Sequence, residues 1–217
     1  MPRPSRNIDQ ALLQSGRVLF PELGCAGLSL RAVADHAGVN VGMFHYHFKS
    51  KDNFLRTLLQ QVYEEMFVQL SGAALQGDTA LQRLREVLVI IATFVRGNAA
   101  MVGRIWADAG AGAPVARDFV QANAPRHVGL LLGLLEQAER EGALQPMPPL
   151  LRATFLMGSV LAPMLVVPRI VAWGIAPKQV ARHAQEQVLS DRAIEARVDL
   201  ALSALLAAPV EKRRGPR

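Results

Sequence analysis

The sequence predicts an all-α protein, and three observations carry that expectation. Apolar residues recur every three to four positions along nearly the whole chain, and no run alternates in the manner of a strand. Good cap residues and glycine or proline breaks punctuate these runs at helix-like intervals. The 217 residues are 51% hydrophobic and 19% charged, with a mean hydropathy of +0.19, so the chain can bury a core and is not disordered.

Asn7 followed by Gln10 reads as a capping-box-like start. Ile8, Ala11, Leu12, Val18 and Leu19 form an apolar stripe ending near Phe20, where Pro21 and Gly24 break it. Ser29 suits the N-cap of a second helix with Leu30, Val33, Ala34 and Ala37 on one face, ended by Gly38. Asn40 caps a short third helix whose inward positions are Val41, Phe44 and Phe48. Ser50 caps a fourth, with Asp52 favourable in its first turn, running to about Leu75. Further helices are expected over about 79–96, around Met101 to Trp106, and on both sides of Pro125. Another runs from about Leu150 to Trp173, its ladder kinked or interrupted by Pro163, and a final pair covers 177–189 and 190–207. The total is nine or ten helices without a fixed repeat. The boundary between the parts of the chain falls inside or just after the long fourth helix.

The net charge is +6, and it is concentrated at the ends. Residues 1–51 carry six Lys/Arg against three Asp/Glu, and the last eight carry four against one. The remainder is neutral. A basic N-terminal segment suggests a polyanionic partner, nucleic acid first. The run Lys212, Arg213, Arg214 and Arg217 reads as a solvated basic tail over 210–217. The single Cys25 permits no internal disulfide, which fits a reducing cytoplasm. The N-terminus lacks an apolar signal region, and the apolar stretch 153–167 is too short and too interrupted for a membrane span. A cytoplasmic protein without a membrane role is the expectation.

Residues 29–51 hold the informative motif. Two helices of about eight residues, separated by a glycine and two more residues, have helix-turn-helix spacing. On the third helix Met43, Tyr46 and His47 fall on the outer face, with His45 at its edge. Such side chains on a very short exposed helix make sense facing a partner. His45 and His47, at i and i+2, point apart, so no metal site is expected, and no cofactor either. The run 109–114 is too poor in lysine to be a phosphate loop. HExxH and GxSxG motifs are absent, so no enzyme is expected.

The stretch from Ser29 to Lys51 resembles the DNA-binding module of the TetR family of bacterial transcriptional regulators. The shared features are Arg31, the Ala37-Gly38-Val39 turn, Gly42, the aromatic pair His47-Phe48 and the run Phe48-Lys49-Ser50-Lys51. The likeness is strong over about 7–55 and extends beyond only in layout and length.

The resemblance implies an N-terminal three-helix DNA-binding domain with a helix-turn-helix (1–55), and a C-terminal helical bundle for ligand binding and dimerisation (56–209). Arg31 looks like the family's base-reading arginine, a residue type that grips guanine bidentately. Lys51 looks like its phosphate contact at a helix N-terminus, with Arg3 and Arg6 adding salt-dependent affinity. Ser29 and Asn40 cap their helices and can donate to phosphates. Val41, Gly42, Met43, His45, Tyr46 and His47 occupy positions in or beside the groove. His45 stands where the family usually has tyrosine. Val41 and Met43 are apolar where polar residues are frequent, which suits thymine methyls.

The body of the chain offers candidate ligand-binding residues: Ile91, Phe94, Met101, Ile105, Trp106, Phe119, His127, Leu131, Phe155 and Met157. Small residues Gly158, Ser159 and Ala162 permit close approach of another helix, Ile194, Val198, Leu202 and Leu205 form one stripe, and the resemblance places these two helices in a four-helix dimer interface. The expected function is a homodimer on a pseudo-palindromic double-stranded operator, repressing until a small apolar ligand binds. Two alternatives stand beside it: a helical carrier or enzyme with a vestigial DNA-binding motif, and a nonspecific DNA-coating protein.

Overall fold

The computed structural model describes residues 5–207, with side chains from Ile8 onward. Arg3, the side chains of Arg6 and Asn7, and the basic tail 210–217 lie outside the described residues. The described elements are α1 (Ser5–Gly27), α2 (Leu30–Ala37), α3 (Val41–Phe48), α4 (Lys51–Ala73), α5 (Ala80–Gly97) and α6 (Ala99–Gly110). They continue with α7 (Pro114–Arg140), α8 (Pro149–Leu156), α9 (Ala162–Ala172), α10 (Lys178–Ala184) and α11 (Asp191–Ser203). Wide π turns at Met157–Leu161 and Gln185–Leu189 follow α8 and α10. Among the described residues there is no strand, and the one isolated bridge joins Leu144 and Leu206. The all-α expectation holds.

Caps set the short N-terminal helices. Ser29 Oγ accepts the Ala32 amide at 3.1 Å, and Asn40 Oδ1 accepts the Gly42 amide at 2.7 Å. Gly38 ends α2 at φ 69°, ψ 27°, a left-handed conformation that glycine adopts without steric cost.

Prolines account for the differences from the sequence expectation. Pro21 does not end α1; the helical dihedrals break at Gly24 (φ 65°, ψ −171°), a region reserved for glycine. Pro125 does not split α7, which is continuous across it. Both Pro125 and Gln121 are at least partly open to solvent, so water can satisfy the carbonyl that loses its amide partner. Pro163 stands where its helix leaves α geometry, as the sequence suggests, although the rod continues. It follows directly on the π turn that joins α8 to α9, where the hydrogen-bond ladder is already widened. Pro149–Ala172 still runs as one 24-residue rod, and an 18-residue window within it has a mean hydropathy of 1.9, long and apolar enough to cross a membrane by length and composition. The stretch 153–167 is too short for a span by itself, but the helix that contains it runs from Pro149 to Ala172.

The chain separates into two compact units. The first comprises the described residues to Gln69 with Phe94–His127; the second comprises Leu70–Thr93 and the described residues from Val128. In the first, Leu12, Phe20, Val33, Phe44, Phe54 and Leu58 form a core with Met101, Ile105 and Val115. In the second, Leu84, Leu88, Leu135, Val160 and Met164 are buried. So is the stripe of Ile194, Val198 and Leu202 on α11 with Leu205 just after it, none more than 5% exposed. That stripe fills the protomer's own core and is not free to meet a second subunit, contrary to the sequence reading. The period of an amphipathic helix shows which face is apolar, but not which surface covers it.

Candidate nucleic-acid interface

The second and third helices present their polar and aromatic residues much as the helical wheel suggests. Phe44 is fully buried and Phe48 nearly so, and with Phe54 their rings pack tilted or edge-on, centroids 4.9–5.4 Å apart. With that side of α3 held inward, Val41, Gly42, His45 and Tyr46 face solvent. Tyr46 is 73% exposed although it sits two residues from a core phenylalanine. Met43 and His47 are half-buried. His47 packs edge-on against Tyr46 at 5.1 Å, and its Nε2 is buried with no hydrogen-bond partner. Val41 points outward and not toward the core as the wheel has it, because it is the first residue of α3 and precedes the turn that packs.

Arg31 stands at the start of α2 with 87% of its side chain exposed. Its ion pair with exposed Asp35 is a 3.8 Å surface contact of small energetic weight. The guanidinium is therefore available to an incoming group. Lys51, the first residue of α4, is half-buried, and its Nζ donates to the Ala26 carbonyl at 2.9 Å. An ammonium has three donors, so two remain for an anion. The structure also draws in Lys49, which sequence reasoning places only within a shared run. Its backbone lies at φ 61°, ψ −45°, a strained conformation for a non-glycine residue, and its side chain is exposed beside the end of α3. The signal available in the sequence is a lysine directly after the third helix.

Among the described residues, no group of three His, Cys, Asp or Glu could hold a metal ion.

The ten candidate ligand residues do not come together as one lining. Phe94, Met101, Ile105, Trp106, Phe119 and His127 belong to the first unit; Ile91, Leu131, Phe155 and Met157 belong to the second. Met101, Ile105 and Ile91 are buried, whereas Trp106, Phe155 and Met157 are 40–58% exposed. A groove of about 580 Å³ in the first unit is lined by Arg56, Gln60, Glu64, Asp118, Phe119 and Asn123. Another of about 590 Å³ in the second unit is lined by Val167, Ile170, Val171, Val180, His183 and Val188. Phe119 is the one candidate that lines either of these two.

His127 has defined polar surroundings. Its Nδ1 lies 3.3 Å from Tyr63 Oη, and the Tyr63 hydroxyl donates to the Asn123 carbonyl at 2.9 Å. Arg126 covers the Phe67 ring at 4.0 Å and the Tyr63 ring at 5.0 Å, and its bond to Glu64 holds that carboxyl below the usual range. Burial depresses the His127 pKa below 6.5. On acidification the unfolded chain takes up this proton first, so stability falls as the pH drops through about 6.5 and levels off below the folded-state value. His127→Asn is expected to flatten that fall, read as melting temperature against pH.

Residues 12–58 match the family model described as "Bacterial regulatory proteins, tetR family". Over 100 residues the chain is 30% identical to the HTH-type transcriptional regulator Rv1816 of Mycobacterium tuberculosis, covering 46% of this chain and 42% of that one. The chain spans less than two thirds of the curated relatives' lengths. In three dimensions it is similar to the ketosteroid transcriptional regulator KstR2 of Mycobacterium tuberculosis, with a TM-score of 0.66 and 18% identity over 92% of this chain and 95% of that one. It is also similar to the TetR-family regulator PfmR of Thermus thermophilus, with a TM-score of 0.63 and 19% identity over 88% and 97%. At such identities the structural likeness speaks for the fold.

Proposed function

Since this chain belongs to the TetR family of bacterial transcriptional regulators and carries its helix-turn-helix domain, we propose that it binds a pseudo-palindromic DNA operator as a homodimer and represses transcription until a small apolar ligand releases it. It acts in the cytoplasm, by binding and not by catalysis. In this reading residues 1–55 contact DNA and 56–209 bind ligand and dimerise. The carrying observation is the outer face of α3, with Val41, His45 and Tyr46 turned to solvent and Phe44 and Phe48 anchored inward.

Chemistry assigns the roles. Arg31 reads a base edge. Val41, Gly42, Met43, His45, Tyr46 and His47 lie in or beside the groove. Ser29, Asn40 and Lys51 meet phosphates where two capped helices and α4 begin. A two-fold dimer sets its two copies of α3 about 34–36 Å apart, one turn of DNA. Dimerisation uses the rod of α8 and α9, whose Leu150, Leu151, Phe155 and Met157 are 40–73% exposed beside Gly158 and Ala162. An apolar face of that size calls for a covering partner. Of the ligand residues named from the sequence, Phe119 in the groove of the first unit remains the proposed contact, and the ligand acts by binding the released conformation more tightly than the DNA-bound one.

The test is a gel-shift titration of genomic fragments, including DNA beside the chain's own gene. A retained fragment, bound far more tightly than bulk DNA at physiological salt, is the expected result; a specificity ratio near one returns the DNA-coating alternative. Arg31→Ala should relax discrimination at one base pair per half-site by about 1–3 kcal/mol. Lys51→Ala should weaken all fragments alike and flatten the salt dependence.

A further inference from the structure

The break at Gly24 in the last turns of α1, which turns the chain toward α2, is gripped by charged side chains from outside the helix-turn-helix. Arg104 of α6 donates to the carbonyls of Glu22 (3.4 Å) and Leu23 (3.0 Å), where α1 breaks. Its Nε forms an ion pair with Asp108 Oδ1 at 3.0 Å, one turn along α6. The other oxygen of Asp108 accepts the Cys25 amide at 2.6 Å. From α4, Lys51 donates to the Ala26 carbonyl. The two residues on each side of Gly24 are thereby fixed by three side chains. Asp108 is only 7% exposed, and a buried carboxylate is retained where its hydrogen bonds are met. Gly24 completes the fit, because the Arg104 guanidinium occupies the space that a Cβ there would need.

This turn leads within two residues of Gly27 to the Ser29 cap, and from there to α2 and α3. We infer that Arg104 and Asp108 are positioning residues that hold this turn at Gly24, so that α2 and α3 meet DNA in one fixed orientation although neither residue touches DNA. The inference rests on the DNA-binding function proposed above.

Cys25 provides a direct reporter, since it is the sole cysteine in the chain and sits in the turn. Burial and the Asp108 carboxylate push its thiol up to about 12, while the Lys51 and Arg104 charges pull the other way. Arg104→Gln therefore separates two effects. With the turn still closed, loss of the cation raises the thiol pKa further and slows alkylation. With the turn released, the thiol is exposed and alkylation quickens.

The experiment measures alkylation rate, DNA affinity and melting temperature for the full chain, Arg104→Gln and Arg104→Lys. Lysine keeps the charge but lacks the planar fork that reaches two carbonyls and a carboxylate. Expected for Arg104→Gln are faster alkylation and DNA binding weakened by roughly tenfold or more, the scale of losing hydrogen bonds to a charged group. Arg104→Lys should fall between that variant and wild type, and it carries the test alone if glutamine prevents folding. Alkylation that is slower or unchanged in both variants overturns the inference. So does an affinity loss fully accounted for by the unfolded fraction at the assay temperature. A wild-type chain that shifts no DNA overturns the proposed function instead, and the alkylation rates then decide the hold on the turn by themselves.

Discussion

Phe44→Ala should cost about 3–5 kcal/mol of folding stability and abolish DNA binding at temperatures where wild type binds. Phe44 is fully buried, and its ring lies 4.9 Å from Phe54 and 5.4 Å from Phe48. On a helix of eight residues there is little else to anchor it. Truncation leaves a cavity at the junction of α3 with α4 that neither remaining phenylalanine can fill without leaving its own site. Tyr46→Ala is the control. At 73% exposure its loss should change stability by no more than about 0.5 kcal/mol, while weakening DNA binding. Denaturant unfolding of the two variants checks the pair. Equal losses would mean that α3 is turned the other way, and the proposed groove face would have to be abandoned.

Arg152→Ala is expected to be comparably damaging in the second unit. Arg152 is 1% exposed, the largest fully buried side chain of the described residues. Its Nη2 pairs with Glu139 at 2.7 Å and donates to the Gln145 carbonyl at 2.9 Å and the Met147 carbonyl at 3.4 Å; its Nη1 donates to the Leu135 carbonyl at 3.4 Å. One guanidinium thus joins α7, the following loop and the start of α8. Removing it opens a cavity and strips three carbonyls of a donor, a loss of about 3–5 kcal/mol. Glu139→Gln should cost clearly less, because that side chain is 34% exposed and Arg152 keeps its carbonyl partners. Thermal melts of the two variants give the order; a larger loss for Glu139→Gln would contradict the assignment.

Buried Arg152 also shows where legibility ends. In the sequence it is a charge flanking an apolar run, indistinguishable from a solvated helix end. Nothing in local spacing tells that carbonyls from residues 135, 145 and 147 converge on it. The same holds for Arg104, on an ordinary amphipathic helix, whose role depends on a glycine far earlier in the chain. By contrast the Ser29 and Asn40 caps, the Gly38 stop and the inward Phe44 and Phe48 are readable, because each depends on neighbours within one or two helical turns.

Local chemistry in the sequence by itself determined the all-α class, the short capped helices over 29–48 and the outward turn of Tyr46. Helix periodicity and capping act over a few residues, so they are written in consecutive letters. Only the tertiary structure decided that prolines 21 and 125 leave their helices continuous, that the stripe along and just after α11 serves the protomer's own core, and that Arg104 and Asp108 seize the break ahead of α2. Those outcomes depend on which surfaces meet and which carbonyls reach water, and burial of that kind is set by contacts far apart in the chain.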